Sequence, residues 1–102
     1  MDKVQDEMQE VFEKAAELFA VLSTPIRLRI ISELCQGEKN VGQLHERIGV
    51  TQPNMSQHLN LLYRAGLLGK RRQGAQVFYR IADETAVMAC RAVCTQVAMD
   101  EA

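Results

Sequence analysis

Two stretches of helical periodicity meet across three residues, Gly49-Val50-Thr51, and that short join restricts the fold more than any other feature of the chain. Before it, Asn40 stands three residues ahead of Gln43, the spacing of a capping box. Val41, Leu44 and Ile48 then give a short helix its apolar side before Gly49 stops it. After the join, Thr51 is placed to cap a helix over 52–65 whose inward positions are Met55, Leu59 and Leu62. Two helices separated by so tight a turn, spanning residues 40–65, form a helix-turn-helix. The first turns of the second helix are crowded with Gln52, Asn54, Ser56, Gln57, His58 and Asn60. A face kept for solubility ordinarily carries Glu and Lys, whereas this one has no charge except on a protonated His58. Amides and hydroxyls at this density suit the hydrogen-bonding edges of base pairs.

The rest of the chain flanks this unit. Over 4–22 the apolar positions Met8, Val11, Phe12, Ala15, Phe19 and Leu22 recur at helical steps between acids. Ser23-Thr24-Pro25 interrupts that helix, and Pro25 suits the first turn of a second, capped by Ser23 or Thr24 and ending at Gly37. After Gly66 the period changes. Residues 67–72 and 76–81 read as strands joined through Gln73-Gly74-Ala75, with Val77, Phe78, Tyr79 and Ile81 in the return strand. The hairpin carries Lys70, Arg71 and Arg72. Asp83 or Glu84 opens a last helix with Val87, Cys90, Cys94 and Val97 at heptad-like spacing.

Composition supports one folded unit over 1–102: the chain has 102 residues, 47% of them apolar and 25% charged. Apolar runs such as Leu18 to Leu22 fall far short of the ~20 residues that cross a bilayer. Met1 to Glu10 lacks the basic start and apolar centre of an export signal, so the expected place is the cytoplasm. Three cysteines without such a signal argue for reduced thiols rather than a disulfide framework. The net charge of −1 conceals a division. Residues 1–20 sum to −4 and 83–102 to −3, while 39–82 hold seven cations against Glu46 alone, a net of +6. Local basic density sets phosphate affinity, so a near-neutral total leaves a polyanion partner open.

Five stretches carry a resemblance: Leu22-Ser-Thr-Pro-Ile-Arg-Leu-Arg-Ile-Ile, Val41-Gly-Gln-Leu, Gln52-Pro-Asn-Met-Ser-Gln-His-Leu, Ala65-Gly-Leu-Leu and Val77-Phe-Tyr-Arg-Ile. In this order they resemble the ArsR/SmtB family of bacterial repressors over roughly residues 15–98. The resemblance implies a mainly α winged helix-turn-helix with a β-hairpin, a homodimer through its first and last helices (1–22 and 83–102), and a double-stranded DNA operator. Gln52, Asn54, Ser56, Gln57 and His58 match the family's recognition helix, and Arg71, Arg72, Gln73 and Gln76, within 67–81, match its wing. Lys70 and Arg64 join these as candidates for phosphate or minor-groove contact. Two metal sites of the family do not carry over. Asn40 and Gly42 stand where arsenic and cadmium sensors place two cysteines, and the last helix has no His for a zinc site.

Cys35, Cys90 and Cys94 read two ways. All three lie on apolar stripes, as small buried hydrophobes do. Yet Cys90 and Cys94 are four apart on one helix, a spacing that suits a soft metal or metalloid such as As(III), Cu(I) or Zn. Some members of the resembling family sense sulfide, persulfide or oxidant with one Cys in the second helix and one in the last. Here Cys35 lies about one turn beyond the matching position, Ser32. Arg91, if it lies beside the thiols, is expected to lower their pKa. The function expected is a sequence-specific regulator, a repressor released by chemistry at these cysteines; the alternative is a constitutive or protein-binding winged helix with no sensor. No nucleophile is paired with a base and no Gly-rich phosphate loop occurs, so catalysis is not expected.

Overall fold

A computed structural model describes residues 3–101. The elements in chain order are α1 (Lys3–Leu22), α2 (Pro25–Leu34), β1 (Lys39–Asn40), α3 (Val41–Ile48), α4 (Gln52–Arg64), β2 (Leu68–Gln73), β3 (Gln76–Ile81) and α5 (Glu84–Glu101). Their boundaries follow from capping chemistry. Thr24, in extended backbone, accepts a hydrogen bond on Oγ1 from the Arg27 N–H at 3.2 Å, with Pro25 in the first helical position. Asn40 and Gln43 satisfy one another reciprocally, each side-chain oxygen accepting the other's backbone N–H at 2.8 Å. Gly49 leaves α3 at φ 86°, a left-handed conformation that a side chain disfavours, and its N–H donates to the His45 carbonyl at 2.8 Å. Two residues later Thr51 caps α4 by accepting from the Asn54 N–H at 3.4 Å. The three-residue turn is therefore one cap followed by another, with Val50 between.

α2 runs through the centre. Its Ile30, Ile31 and Leu34 are buried with Leu44 and Ile48 of α3, Met55, Leu59 and Leu62 of α4, and Ala86, Val87 and Cys90 of α5. The sheet closes the core from one side through Leu68 and Tyr79, with Leu67 just before it. It is antiparallel in the order β1-β3-β2, with Leu68 opposite Ile81, Lys70 opposite Tyr79 and Arg72 opposite Val77.

The structure departs from the sequence expectations in four places. The second helix closes at Leu34, not Gly37, because the Gln36 and Gly37 amides bond the Glu33 and Leu34 carbonyls, three residues back instead of four. The hairpin's first strand begins at Leu68, one residue later than expected, because Leu67 belongs to the exit from α4. Its N–H donates to the Leu62 carbonyl at 3.0 Å, and its carbonyl accepts from Ala82 at 2.9 Å. A third strand, β1, pairs Lys39 with Tyr79 and Asn40 with Phe78; two polar residues carry no strand pattern to announce it. Finally, the expected apolar stripe of α1 meets the chain's own core only at its end. Leu22 is buried and Leu18 and Val21 pack beside it, whereas Phe12 and Phe19 are 62% and 58% exposed, with Met8 and Val11 open beside them. α1 thus has two apolar edges, and one chain covers only one of them. On α5, likewise, Val93 and Val97 lie open beyond the buried Cys90.

Leu59 is fully buried beneath α4. Leu59→Ala is expected to cost ~2–5 kcal/mol of unfolding free energy in a denaturant titration, since the helix it anchors cannot collapse onto the void.

Candidate nucleic-acid interface

Burial of Met55, Leu59 and Leu62 settles which way α4 faces. With that side against the core, Gln52, Asn54, Ser56, Gln57 and Asn60 are all exposed. His58 is the exception. It is half-buried, and its Nδ1 accepts a hydrogen bond from Arg27 Nε at 3.2 Å. The same guanidinium donates through Nη1 to the Val21 carbonyl at 2.9 Å, so one side chain joins the end of α1, α2 and α4. Burial, and then the Arg27 charge, push the His58 pKa below its ordinary 6.5. The structure gives His58 a packing and hydrogen-bonding role, and sets it apart from the open residues around it.

The hairpin sorts its cations by face, because neighbours along a strand point to opposite sides. Lys70 and Arg72 share the face of Tyr79 and Val77, toward α4, and the Lys70 ammonium lies 4.3 Å from the centre of the Tyr63 ring. Arg64, at the end of α4, is exposed on the same helix as Tyr63. Arg71 points the other way. It donates to both carboxylate oxygens of Glu38, at 2.6 to 3.0 Å, and to Gln73 Oε1 at 2.8 Å, and its guanidinium lies 4.8 Å from the Phe78 ring centre. Gln76 Oε1 accepts from Asn40 Nδ2 at 3.0 Å on that outer face. The bonded Arg71 holds the Glu38 carboxyl below the ordinary carboxylate range, and Glu38 in turn raises the guanidinium. Counting charge by segment missed this, because Glu38 lies one residue before the basic block and Glu33, which pairs with Arg47 at 2.7 Å, lies further back. Lys70, Arg72 and Arg64 are left beside the amide-rich helix, whereas Arg71, Gln73 and Gln76 are tied into the sheet.

The three thiols come together. Cys35, Cys90 and Cys94 line one pocket of about 330 Å³ between α2 and α5, with Ser32, Arg91 and Thr95 on its polar side. Ser32 and Cys35 sit one turn apart on the same wall, so the displaced cysteine still reaches the pocket. Only Cys90 is buried; Cys35 and Cys94 are exposed, contrary to a reading of all three as core. The expected lowering of thiol pKa by Arg91 also fails at Cys90. Burial raises it, and Cys94 and Cys35 raise it further. Among the described residues no group of three or more His, Cys, Asp or Glu side chains is arranged to hold a metal ion.

Comparison with known proteins decides the family. Residues 24–70 match the model described as bacterial regulatory protein, arsR family. The biofilm growth-associated repressor of Xylella fastidiosa is 35% identical over 96 residues, covering 90% of this chain and 84% of that protein. The chain belongs to the ArsR family. Among solved structures, the transcriptional repressor BigR from Xylella fastidiosa superposes with a TM-score of 0.81 at 35% identity, over 89% of this chain and 93% of that one. A homodimeric winged helix-turn-helix DNA-binding domain from Mycobacterium bovis, a possible ArsR-family regulator, superposes with a TM-score of 0.76 at 31% identity, covering 99% and 92%. This ArsR-family chain is a winged-helix transcriptional regulator of the repressor type, not an enzyme. Among its described residues no helix is long and apolar enough to cross a membrane.

A His held below its ordinary pKa favours the folded state when neutral. Stability is therefore full above pH 6.5 and falls as the pH is lowered through the window beneath it, where the unfolded chain takes up the proton first. His58→Asn is expected to flatten that part of the stability profile in urea titrations between neutral and mildly acid pH.

Proposed function

We propose that this chain is a homodimeric repressor that reads a roughly palindromic operator in the cytoplasm with two copies of α4, and that modification of Cys35 and Cys94 releases it. The observation that carries the DNA reading is the uncharged, exposed amide and hydroxyl face of α4 beside Lys70 and Arg72. In this reading Gln52, Asn54, Ser56 and Gln57 contact base edges, while Lys70, Arg72 and Arg64 grip phosphates or the minor groove. Arg71, Gln73, Gln76 and His58 support the interface from within the protein. The uncovered edges of α1 and α5 support dimerisation: Phe12, Phe19 and Val97 are large apolar residues exposed on helices with few other reasons to carry them. The 1–22 and 83–102 segments then serve as the dimer seam, around 40–65 as reader and 67–81 as wing.

Exposure and a shared pocket favour Cys35 and Cys94 as the reacting pair, with Cys90, buried and held as a thiol, as the wall behind them. An oxidant or a sulfane-sulfur donor fits two exposed thiols. A soft metalloid is the competing inducer, and the same assay separates them.

Operators selected from random duplexes, followed by binding titrations across salt concentrations, test the reading. Arg72→Ala is expected to weaken all duplexes alike and reduce the salt slope by about 1, whereas Arg71→Ala changes little. Gln57→Ala is expected to cost ~1–3 kcal/mol of discrimination at one base pair. Duplex affinity that ignores salt contradicts the assignment and favours a protein-binding module. Persulfide donor, peroxide and arsenite are then added to the complex: wild type is expected to release DNA and Cys94→Ser to hold it. Release of both alike rules out the thiol switch. Phe12→Asp is expected to shift the protein toward monomer in sedimentation.

A further inference from the structure

Beside the thiol pocket lies a second cavity of about 420 Å³, bounded by the end of α2, the Gln36 to Glu38 turn, the end of β3 and the start of α5. Cys35, Val87 and Arg91 line both, so the two share a wall at the exposed thiol. Resting on the reading of these thiols as the sensing site, we propose that this second cavity docks a small organic disulfide or persulfide that carries a carboxylate, with the carboxylate on Arg80 and Arg91 and the sulfur–sulfur bond at Cys35.

Four charged groups line the cavity: Arg80 and Arg91, Glu38 and Glu84. Glu38 is already engaged by Arg71 through hydrogen bonds of 2.6 to 3.0 Å. Arg80 acts on Glu38 only at a distance, lowering its pKa without pairing with it. Among the described residues neither the Arg80 nor the Arg91 guanidinium donates a hydrogen bond or enters an ion pair, while those of other surface arginines, Arg47 and Arg71, do both. Two free guanidiniums are thus set against one free carboxylate, Glu84.

The Arg80 guanidinium also lies close over the neighbouring strand. It stands opposite Gly69 across the β2–β3 ladder, and a Cβ at position 69 would lie 2.6 Å from its Cζ and 2.8 Å from Nη2. The guanidinium rests on backbone that no other residue at 69 would leave bare. Guanidinium pairs well with carboxylate. Both cavities fall within the ~300–1,000 Å³ common for small ligands. The thiols at one end and the cations at the other ask for a molecule with sulfur and negative charge a few bonds apart.

The reaction balances without a further reagent. The Cys35 thiol gives its proton to water, and the thiolate attacks one sulfur of the ligand's S–S bond. That bond breaks as the new one to Cys35 forms, and the leaving thiolate carries away the electron pair. With a disulfide, Cys35 ends as a mixed disulfide; with a persulfide attacked at its outer sulfur, Cys35 gains that sulfur and the parent thiolate departs.

The test compares an anionic disulfide, dithiobis(nitrobenzoate), with a neutral one, dithiodipyridine, on full-length protein in a Cys94→Ser background. The rate ratio, anionic over neutral, is expected to fall about tenfold in the Arg80→Gln/Arg91→Gln variant, with the neutral rate unchanged, and to fall with rising salt in the parent. Arg91→Lys is expected to keep the ratio, Glu84→Gln to raise it, and Gly69→Ala to lower it by displacing Arg80 without removing charge. A ratio that is the same in the parent and the double variant overturns the proposal, as do two rates that fall together. Operator release from wild-type protein by dithiodipyridine, which needs no carboxylate, tests the thiol switch separately. If that release fails while the ratio behaves as expected, the switch is overturned and the docking site stands.

Discussion

The packing of one face of α4 against α2 and α3 is the constraint on which the rest depends. Met55, Leu59 and Leu62 are fully buried at helical spacing, and α2 supplies Ile30 and Ile31 at the same core. Once that face is fixed, every other direction on α4 is fixed with it, so the amides at 52, 54, 57 and 60 have only solvent or a ligand to bond. The hairpin follows from the same contact. α4 exits through Leu67 into β2, which lays Lys70 over Tyr63 and keeps the cationic face of the strand beside the amide face of the helix. Hydrophobic burial on one side thus produces polar complementarity on the other.

α2 carries a second set of relations. Its beginning presents Arg27 to both the Val21 carbonyl and His58, and its end presents Cys35 to a pocket shared with α5. A chemical event at the thiols therefore lands on the seam between α2 and α5, and α2 is the element against which α4 leans. In the proposed dimer the partner covers the open apolar edges of α1 and α5. An inducer shifts the balance between two arrangements of α4 only to the extent that it favours one of them energetically. Two exposed thiols with a buried third behind them offer such a difference, because a group added to Cys35 or Cys94 has to be housed in the pocket or expelled from it.

Much of this was legible in the residues. The caps at Thr24, Asn40 and Thr51 and the stop at Gly49 lie where side-chain chemistry puts them, since capping is local and needs no partner from elsewhere. The inward set on α4 followed from period alone. What the sequence did not show depended on contacts far along the chain. Glu38 meets Arg71 across 33 positions, so a basic run looked freer than it is. Arg27 meets His58 across 31, a bond that ties His58 to α2 and that no local pattern announces. The strand at Lys39 and Asn40 exists because β3 needs a partner on its far edge, a demand invisible in two polar residues. The apolar stripe of α1 was recognised, but its destination was not, since periodicity tells that a face is apolar and not whose core it joins.

Which surface meets the duplex is measured residue by residue by amide chemical-shift mapping in NMR with a selected operator. The expected result is that the largest changes fall on Gln52 to Asn60 and on Lys70 and Arg72, with Arg71 and the Glu38 turn little affected. Changes concentrated on the outer sheet face or along α5, with the amide-rich face of α4 silent, would contradict it.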